Sequence, residues 1–435
     1  MPKVIKPRLH QKKCKENVLK HFENYDRALG VMPCGSGKTI TSLLIAKEMN
    51  AQSLIYAVPT LKLQEQALSV IDSLELLGLN CEVFCIGSNK NISKLNWKFP
   101  VHSSTSVVKI REFIDKKNDG KLKVFITTYQ SSKKLQKASS GFQFEFGILD
   151  ESHRLAGVKG KSFSTILFDK NINIKRRLSV TATPKYYDND FNFLSMSNKK
   201  YFGKCVYEML LDEAIENNIC CDYRIKLLLI EEESFIGRKV INENRNILLY
   251  NQLNEIIKKE KIKKIISFHN RVYDAKHFAD LFQGNKKYDS FTVSSKTVDF
   301  DQQLSKFKDS KFGIITNSSI LATGYDYPKI KCVIMKDVTG SDVDLIQHFG
   351  RVLRKDGNKV ATMVLPFFYK SSSWNCVYNA GEILRTNIAL KNINLIDSKM
   401  FDKVDIIKSG NQGTVKNQTS FNRLKRLIGI KQTNK

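Results

Sequence analysis

The chain has 435 residues, 42% of them hydrophobic, and its 71 lysines and arginines outnumber 43 aspartates and glutamates to give a net charge of +28. That length exceeds what one hydrophobic core usually supports, so two domains and an appendage are expected. No apolar run approaches the roughly 18–20 residues that cross a bilayer, and the basic start MPKVIKPRLHQKK lacks the apolar core of a secretion signal, so a soluble, intracellular protein with no membrane partner is expected.

The positive charge favours a polyanionic partner gripped through salt-sensitive backbone contacts, although an anionic membrane surface or a lysine-biased genome would produce the same excess. Cys81 and Cys85 form a loose pair and Cys220 and Cys221 are adjacent, but no second pair completes a four-ligand zinc pattern, so reduced thiols are expected.

In chain order, RALGVM (27–32) reads as a short buried strand, KTITSLLIAKEM (38–49) as an amphipathic helix and SLIYAVP (53–59) as a strand closed by proline. KLKVFITTYQ (121–130) and FEFGILDE (144–151) are apolar runs ending in polar residues. A second set follows in CDYRIKLLLI (221–230), KKIISFHN (263–270), KFGIITNSS (311–319), KIKCVIMKD (329–337) and KVATMVLPFF (359–368). This alternation predicts two α/β domains, each a parallel sheet with helices on both faces and with ligands at the carboxyl ends of the strands. Domain 1 is expected over 1–205, a link over 206–221, domain 2 over 222–370 and a basic C-terminal extension over 371–435, where the strand pattern decays and one further helix is expected before the polar tail.

The stretch VMPCGSGKTI, Val31 to Ile40, has the form of a phosphate-binding loop with Met32 where the first glycine normally stands. Gly35 and Gly37 let backbone amides turn inward, Ser36 lies between them, Lys38 offers a positive charge to the β and γ phosphates, and Thr39 offers a hydroxyl to magnesium. A helix beginning at Lys38 adds its positive dipole end. DESH, Asp150 to His153, follows an apolar strand, so Asp150 completes a magnesium shell and Glu151 orients the attacking water.

With these two segments in place, the chain resembles a superfamily 2 helicase of the DExH type. PRLHQ (7–11) resembles the adenine-reading segment, MPCGSGKT and DESH motifs I and II, AVPTLKLQEQ (57–66) Ia, FITTYQS (125–131) Ib and SVTATP (179–184) III. IISFHNR (265–271) resembles motif IV, LATGYDYP (321–328) V and QHFGRVLR (347–354) VI, while YFGKCVYEMLLDEAIENNICCDYRI (201–225) is similar to the interdomain link of helicases related to type III restriction subunits. The resemblance implies two tandem RecA-like domains, and methionine in the first glycine position is familiar in that family.

It also implies ATP and Mg2+ as cofactors and an ATP-driven helicase or translocase on nucleic acid, DNA before RNA. Gln11 can read adenine N6 and N7 as a bidentate pair. Asp326, in motif V, joins the nucleotide-binding set. Arg351 and Arg354 lie three apart on a predicted helix, sharing one face; the family places them across the cleft between domains as arginine fingers, with Gln347 completing the motif. The nucleic-acid track corresponds to Pro59 and Thr60, Thr127 and Thr128, and Thr323 and Gly324, whose small hydroxyls and exposed amides suit phosphate oxygens. His153, Thr181 and Thr183 link that track to the nucleotide. Protein partners through the C-terminal extension are a further expectation. Two alternatives stand beside this reading: a duplex DNA translocase subunit of a restriction or remodelling complex that separates no strands, and a non-motor nucleic-acid-binding protein.

Overall fold

The computed structural model describes residues 6–74, 80–89, 91–117, 119–158, 162–187, 193–232, 237–284, 287–318, 321, 327–337, 342–371, 376–378 and 380–408. The chain divides into two compact units, Met1–Leu210 and Leu211–Lys435.

The first unit is built on a sheet whose described strands all run parallel, in the order Lys204–Glu208, Arg27–Val31, Asn173–Thr181, Gln143–Asp150, Ser53–Val58, Leu122–Thr128, Cys81–Ile86, Val101–Ser103. A parallel sheet is covered on both faces, which is why SLIYAV and CEVFCI are buried throughout and not alternately. Alternation survives as a choice of face: Leu54, Tyr56 and Val58 join a core with Cys14, Val18, Leu43 and Leu68 from helices Leu9–His21, Lys38–Glu48 and Leu61–Leu74. Ile55 and Ala57 point the other way, to Ile110, Phe113 and Leu135 of helices Val107–Asp115 and Ser132–Ala138. Burying each large apolar side chain is worth about 1.5–3 kcal/mol, enough to hold the strand ends in register beneath the loops that follow them.

The second unit repeats the plan with parallel strands in the order Asp289–Val293, Gly313–Asn317, Lys264–Phe268, Cys332–Met335, Ala361–Ser371, Tyr223–Glu231, Val404–Lys408, and a short antiparallel strand, Cys376–Tyr378, beside Ala361–Ser371. Each unit is therefore α/β, as the alternating pattern predicts, and the pair are tandem RecA-like domains.

Three expectations need revision. The link expected over 206–221 begins inside a strand: Lys204–Glu208 pairs with Arg27–Val31 in the first sheet, and a helix, Leu211–Glu216, follows. The extension expected from 371 contributes helix Ala380–Ile396 and strand Val404–Lys408 to the second unit, the strand pairing with Ile225–Leu229. Tyr223 Oη donates to Asp397 Oδ2 at 2.6 Å, and Arg245 bridges Glu232 and Glu382, so this segment is fastened by polar contacts that no hydrophobic period announces. Lastly, Arg351 and Arg354 do not share a helix face, because helix Asp342–Gly350 ends before them. Among the described residues no helix is long and apolar enough to cross a membrane.

Candidate active site

The phosphate-loop segment follows strand Arg27–Val31. Met32 is fully buried in the core, and its N–H donates to Thr181 O at 2.9 Å, so the residue in the first glycine position extends the strand and packs inward. Gly35 and Gly37 take φ of +84° and +90°, the left-handed region where glycine escapes the Cβ penalty. Ser36 Oγ donates to Pro33 O at 2.8 Å, and His10 Nε2 donates to Ser36 O at 2.8 Å, so the loop is braced by itself and by the first helix.

Gln11 is buried on the same helix. Its Oε1 accepts the Arg8 backbone N–H at 2.9 Å, and its Nε2 faces the Cα of Gly37 so closely that a Cβ there would lie 2.6 Å away. Lys38 opens helix Lys38–Glu48 with only 9% of its surface exposed, its Nζ 3.5 Å from Met32 O and 3.9 Å from Glu151 Oε1. A nearly buried ammonium at a helix start, beside inward-turned amides, is a site for an anion.

Asp150 ends strand Gln143–Asp150. Its Oδ1 accepts the Glu151 N–H at 2.9 Å, its Oδ2 accepts from Tyr56 Oη at 3.0 Å, and Tyr129 Oη donates to its main-chain oxygen. Burial, then Asp150, push the Tyr56 phenol up, and the nearby Thr39 side chain opposes the rise. Burial pushes the Asp150 carboxyl up to about 6, with Glu151 adding to the rise and Lys38 and Tyr56 opposing it. A buried carboxyl next to a second acid and a threonine hydroxyl suits a hard cation such as Mg2+. Glu151 itself sits at φ +52°, a left-handed conformation that costs a non-glycine residue about 1–2 kcal/mol and aims its side chain back toward Lys38. Its Oε2 is buried without a hydrogen bond, 3.5 Å from His153 Nδ1, the arrangement expected where a water is to be oriented.

His153 is fully buried, with Nδ1 2.8 Å from Thr181 Oγ1 and 3.3 Å from Thr183 Oγ1, while the Thr183 N–H donates to Thr181 Oγ1 at 3.0 Å. Burial, then Arg154, Lys185 and Lys38, hold this imidazole well below its usual range, so it is neutral. Gln11, Gly35, Ser36, Gly37, Lys38, Thr39, Asp150, Glu151, His153, Thr181 and Thr183 thus all belong to one connected constellation in the first unit.

The track residues fare unevenly. Pro59 and Thr60 follow strand Ser53–Val58 and are half-buried; Thr60 Oγ1 accepts the Leu63 N–H at 3.3 Å and caps the next helix. Thr128 is buried, 5% exposed, and its Oγ1 donates to Ser131 Oγ at 2.9 Å. Thr127 is 0% exposed and its Oγ1 donates to Thr128 O, so the phosphate contact expected of its side chain is not available in this structure. In the second unit Gln347 is buried on helix Asp342–Gly350, and Arg351 and Arg354 are half-buried just beyond it, with Arg354 in a single antiparallel bridge to Cys220. Thr323, Gly324 and Asp326 lie outside the described residues. The motif reading passed over Tyr56, Tyr129 and His10; the one signal available was a tyrosine within the apolar run LIYAV, 54–58.

The family model described as Type III restriction enzyme, res subunit matches residues 4–186, and that described as Helicase conserved C-terminal domain matches 248–356. The chain belongs to helicase superfamily 2. This superfamily 2 ATPase is 23% identical over 398 residues to the DNA 3'-5' translocase XPB2 of Sulfurisphaera tokodaii, covering 81% of this chain and 80% of the relative. Its fold is that of the ATP-dependent Type ISP restriction-modification enzyme LlaBIII bound to DNA (TM-score 0.78, 21% identity, 98% of this chain and 33% of that one). A nuclease-deletion mutant of the Type ISP enzyme LlaGI, in complex with a DNA substrate mimic, is also similar (TM-score 0.69, 22% identity, 99% and 32%). The superfamily 2 chain therefore spans about a third of each restriction enzyme's length.

Proposed function

We propose that this chain hydrolyses ATP at the Lys38–Asp150–Glu151 site and uses the energy to move along DNA. The observation that carries the reading is the continuous contact path from that site through His153 to Thr181 and Thr183. The choice of DNA is supported by likeness to a DNA translocase over 81% of the chain and by the net charge of +28.

Lys38 neutralises the β and γ phosphates, Gly35, Ser36 and Gly37 wrap them with amides, and Gln11 reads the adenine. Thr39 and Asp150 would hold Mg2+, which supplies positive charge to the phosphate oxygens when bound. Glu151 Oε2 accepts a hydrogen bond from the attacking water and orients it in line with the γ phosphate. Gln347, Arg351 and Arg354, in the second domain, take part in ATP hydrolysis, and Asp326 contributes to nucleotide binding. Pro59, Thr60, Thr128, Thr323 and Gly324 hold the sugar-phosphate backbone, and Thr127 serves as packing. In this scheme Met1–Leu210 is the nucleotide-binding domain, Leu211–Lys435 the second motor domain, and its C-terminal extension, from 371 onward, a place for protein partners.

The test compares ATPase rate with single-stranded DNA, duplex DNA, forked DNA and RNA at matched salt. Stimulation by DNA is expected. Stimulation by duplex without strand displacement would assign translocation alone, stimulation by RNA alone would overturn the DNA assignment, and a lack of ATPase would overturn the motor reading.

A further inference from the structure

Tyr56 is a polar residue in the middle of a buried strand, with no exposure at all, between neighbours that are wholly apolar. A buried phenol is costly unless its hydroxyl finds a partner, and an inaccessible one on the phosphate-loop side of the sheet has few to choose from. It finds one: Oη donates to Asp150 Oδ2 at 3.0 Å, with the Thr39 side chain nearby. These are the residues of this chain that the site reading assigns to Mg2+. Asp150 Oδ1 is already directed by the Glu151 N–H at 2.9 Å, so each carboxylate oxygen is held by one donor and each keeps a lone pair. The hydroxyl comes from strand Ser53–Val58 and holds a carboxylate at the end of the neighbouring strand Gln143–Asp150.

We propose that Tyr56 is a positioning residue for magnesium, holding the Asp150 carboxylate so that it presents oxygen to the cation beside Thr39. The proposal rests on the ATP-site reading above. It assigns a task to a residue outside motifs I and II, for the physical reason that residues one sphere removed from a metal orient its ligands, and their loss typically lowers metal affinity about 10–100-fold. Tyr129, equally buried, provides the internal comparison: its hydroxyl is bonded to the main-chain oxygen of Asp150, which strand geometry already fixes.

The experiment titrates Mg2+ against the binding of a fluorescent ATP analogue to the full chain, beside the same measurement in EDTA. For Tyr56→Phe the Mg2+ midpoint should rise about tenfold or more, while nucleotide affinity in EDTA is unchanged and the melting temperature stays within about 4 °C of the parent. Tyr129→Phe should keep its midpoint within about twofold, because a main-chain oxygen does not swing when one donor is lost. An unchanged midpoint in Tyr56→Phe, beside a parent that responds to Mg2+, overturns the proposal alone. A parent whose nucleotide binding ignores Mg2+ overturns the site reading and the proposal with it. Site-specific 3-fluorotyrosine at position 56 gives a readout that removes no hydroxyl: its ¹⁹F resonance should move when Mg2+ is added to the nucleotide complex, and a resonance that stays put overturns the positioning role even if Tyr56→Phe does not fold.

Discussion

Replacing Gly37 by alanine adds a single carbon at the point where the first helix touches the phosphate loop. Gly37 has φ +90° and ψ 34°, and holding alanine in the left-handed region costs about 1–2 kcal/mol. The new Cβ would lie 2.6 Å from Gln11 Nε2, inside any tolerable contact, so the Gln11 carboxamide must swing away. That swing gives up the hydrogen bond from the Arg8 N–H at 2.9 Å, worth about 0.5–1.5 kcal/mol net. The sum, about 1.5–3.5 kcal/mol, would appear as lost ATP affinity if the empty loop relaxes and only the bound loop must hold the native turn. At about 1.4 kcal/mol per decade, this is between about tenfold and about 300-fold.

The displaced Gln11 would also lose its preference for adenine, so affinity for ATP should fall further than affinity for GTP. Equilibrium titration with fluorescent ATP and GTP analogues, together with a thermal melt to detect strain left in the empty protein, measures both parts. A Gly37→Ala protein that binds ATP within about twofold of the parent, keeps its adenine preference and melts at the parental temperature would refute the reasoning, since the strain would then have gone nowhere.

Glu151→Gln should bind ATP normally yet lose steady-state turnover by at least about a hundredfold; near-parental turnover would remove Glu151 from water activation. Because the folded Asp150 carboxyl titrates at about 6 against 3.8 for a free one, the folded state binds the extra proton between those values, and stability of the metal-free protein should fall as pH rises through that window. Asp150→Asn should flatten this slope in melts run across the same range, leaving the variant more stable than the parent above it. Arg351→Ala should retain parental ATP affinity and lose the DNA-stimulated part of hydrolysis, as comparison of rates with and without saturating DNA will register. Truncation after Lys408 should leave basal ATPase intact, whereas truncation after Phe368 removes strand Val404–Lys408 and the buried Ala389, Leu390 and Ile393. Leu390 and Ile393 alone represent about 3–6 kcal/mol of burial, a large part of a domain's usual margin, so the shorter protein should melt early and be cleaved readily by protease.

The motifs, the parallel two-domain plan and most of the central strands were legible in the sequence because each depends on local order: strands buried on both faces read as apolar runs, and a phosphate loop is contiguous. Strands Lys204–Glu208 and Val404–Lys408 were not, since they are sheet edges whose short and partly charged sequences carry no strong period. The spacing of Arg351 and Arg354 suggested one helix face, but a sequence period does not reveal where the helix stops, and it stops at Gly350. Thr127 and Thr128 look alike as neighbouring threonines and both are buried, yet the first bonds the main-chain oxygen of Thr128 and the second turns to Ser131.

By itself, then, the chain's order of residues determined which side chains are available for phosphate, cation and water, because those chemistries demand particular groups at close spacing. Only the tertiary structure decided which of them meet: that Tyr56 reaches Asp150, that Gln11 presses on Gly37, and that His153 is bonded to Thr181 and Thr183. Those contacts join residues far apart in sequence whose side chains must satisfy buried polar atoms, and hydrogen-bond demand in a dry interior has no signature along the chain until the fold brings the partners together.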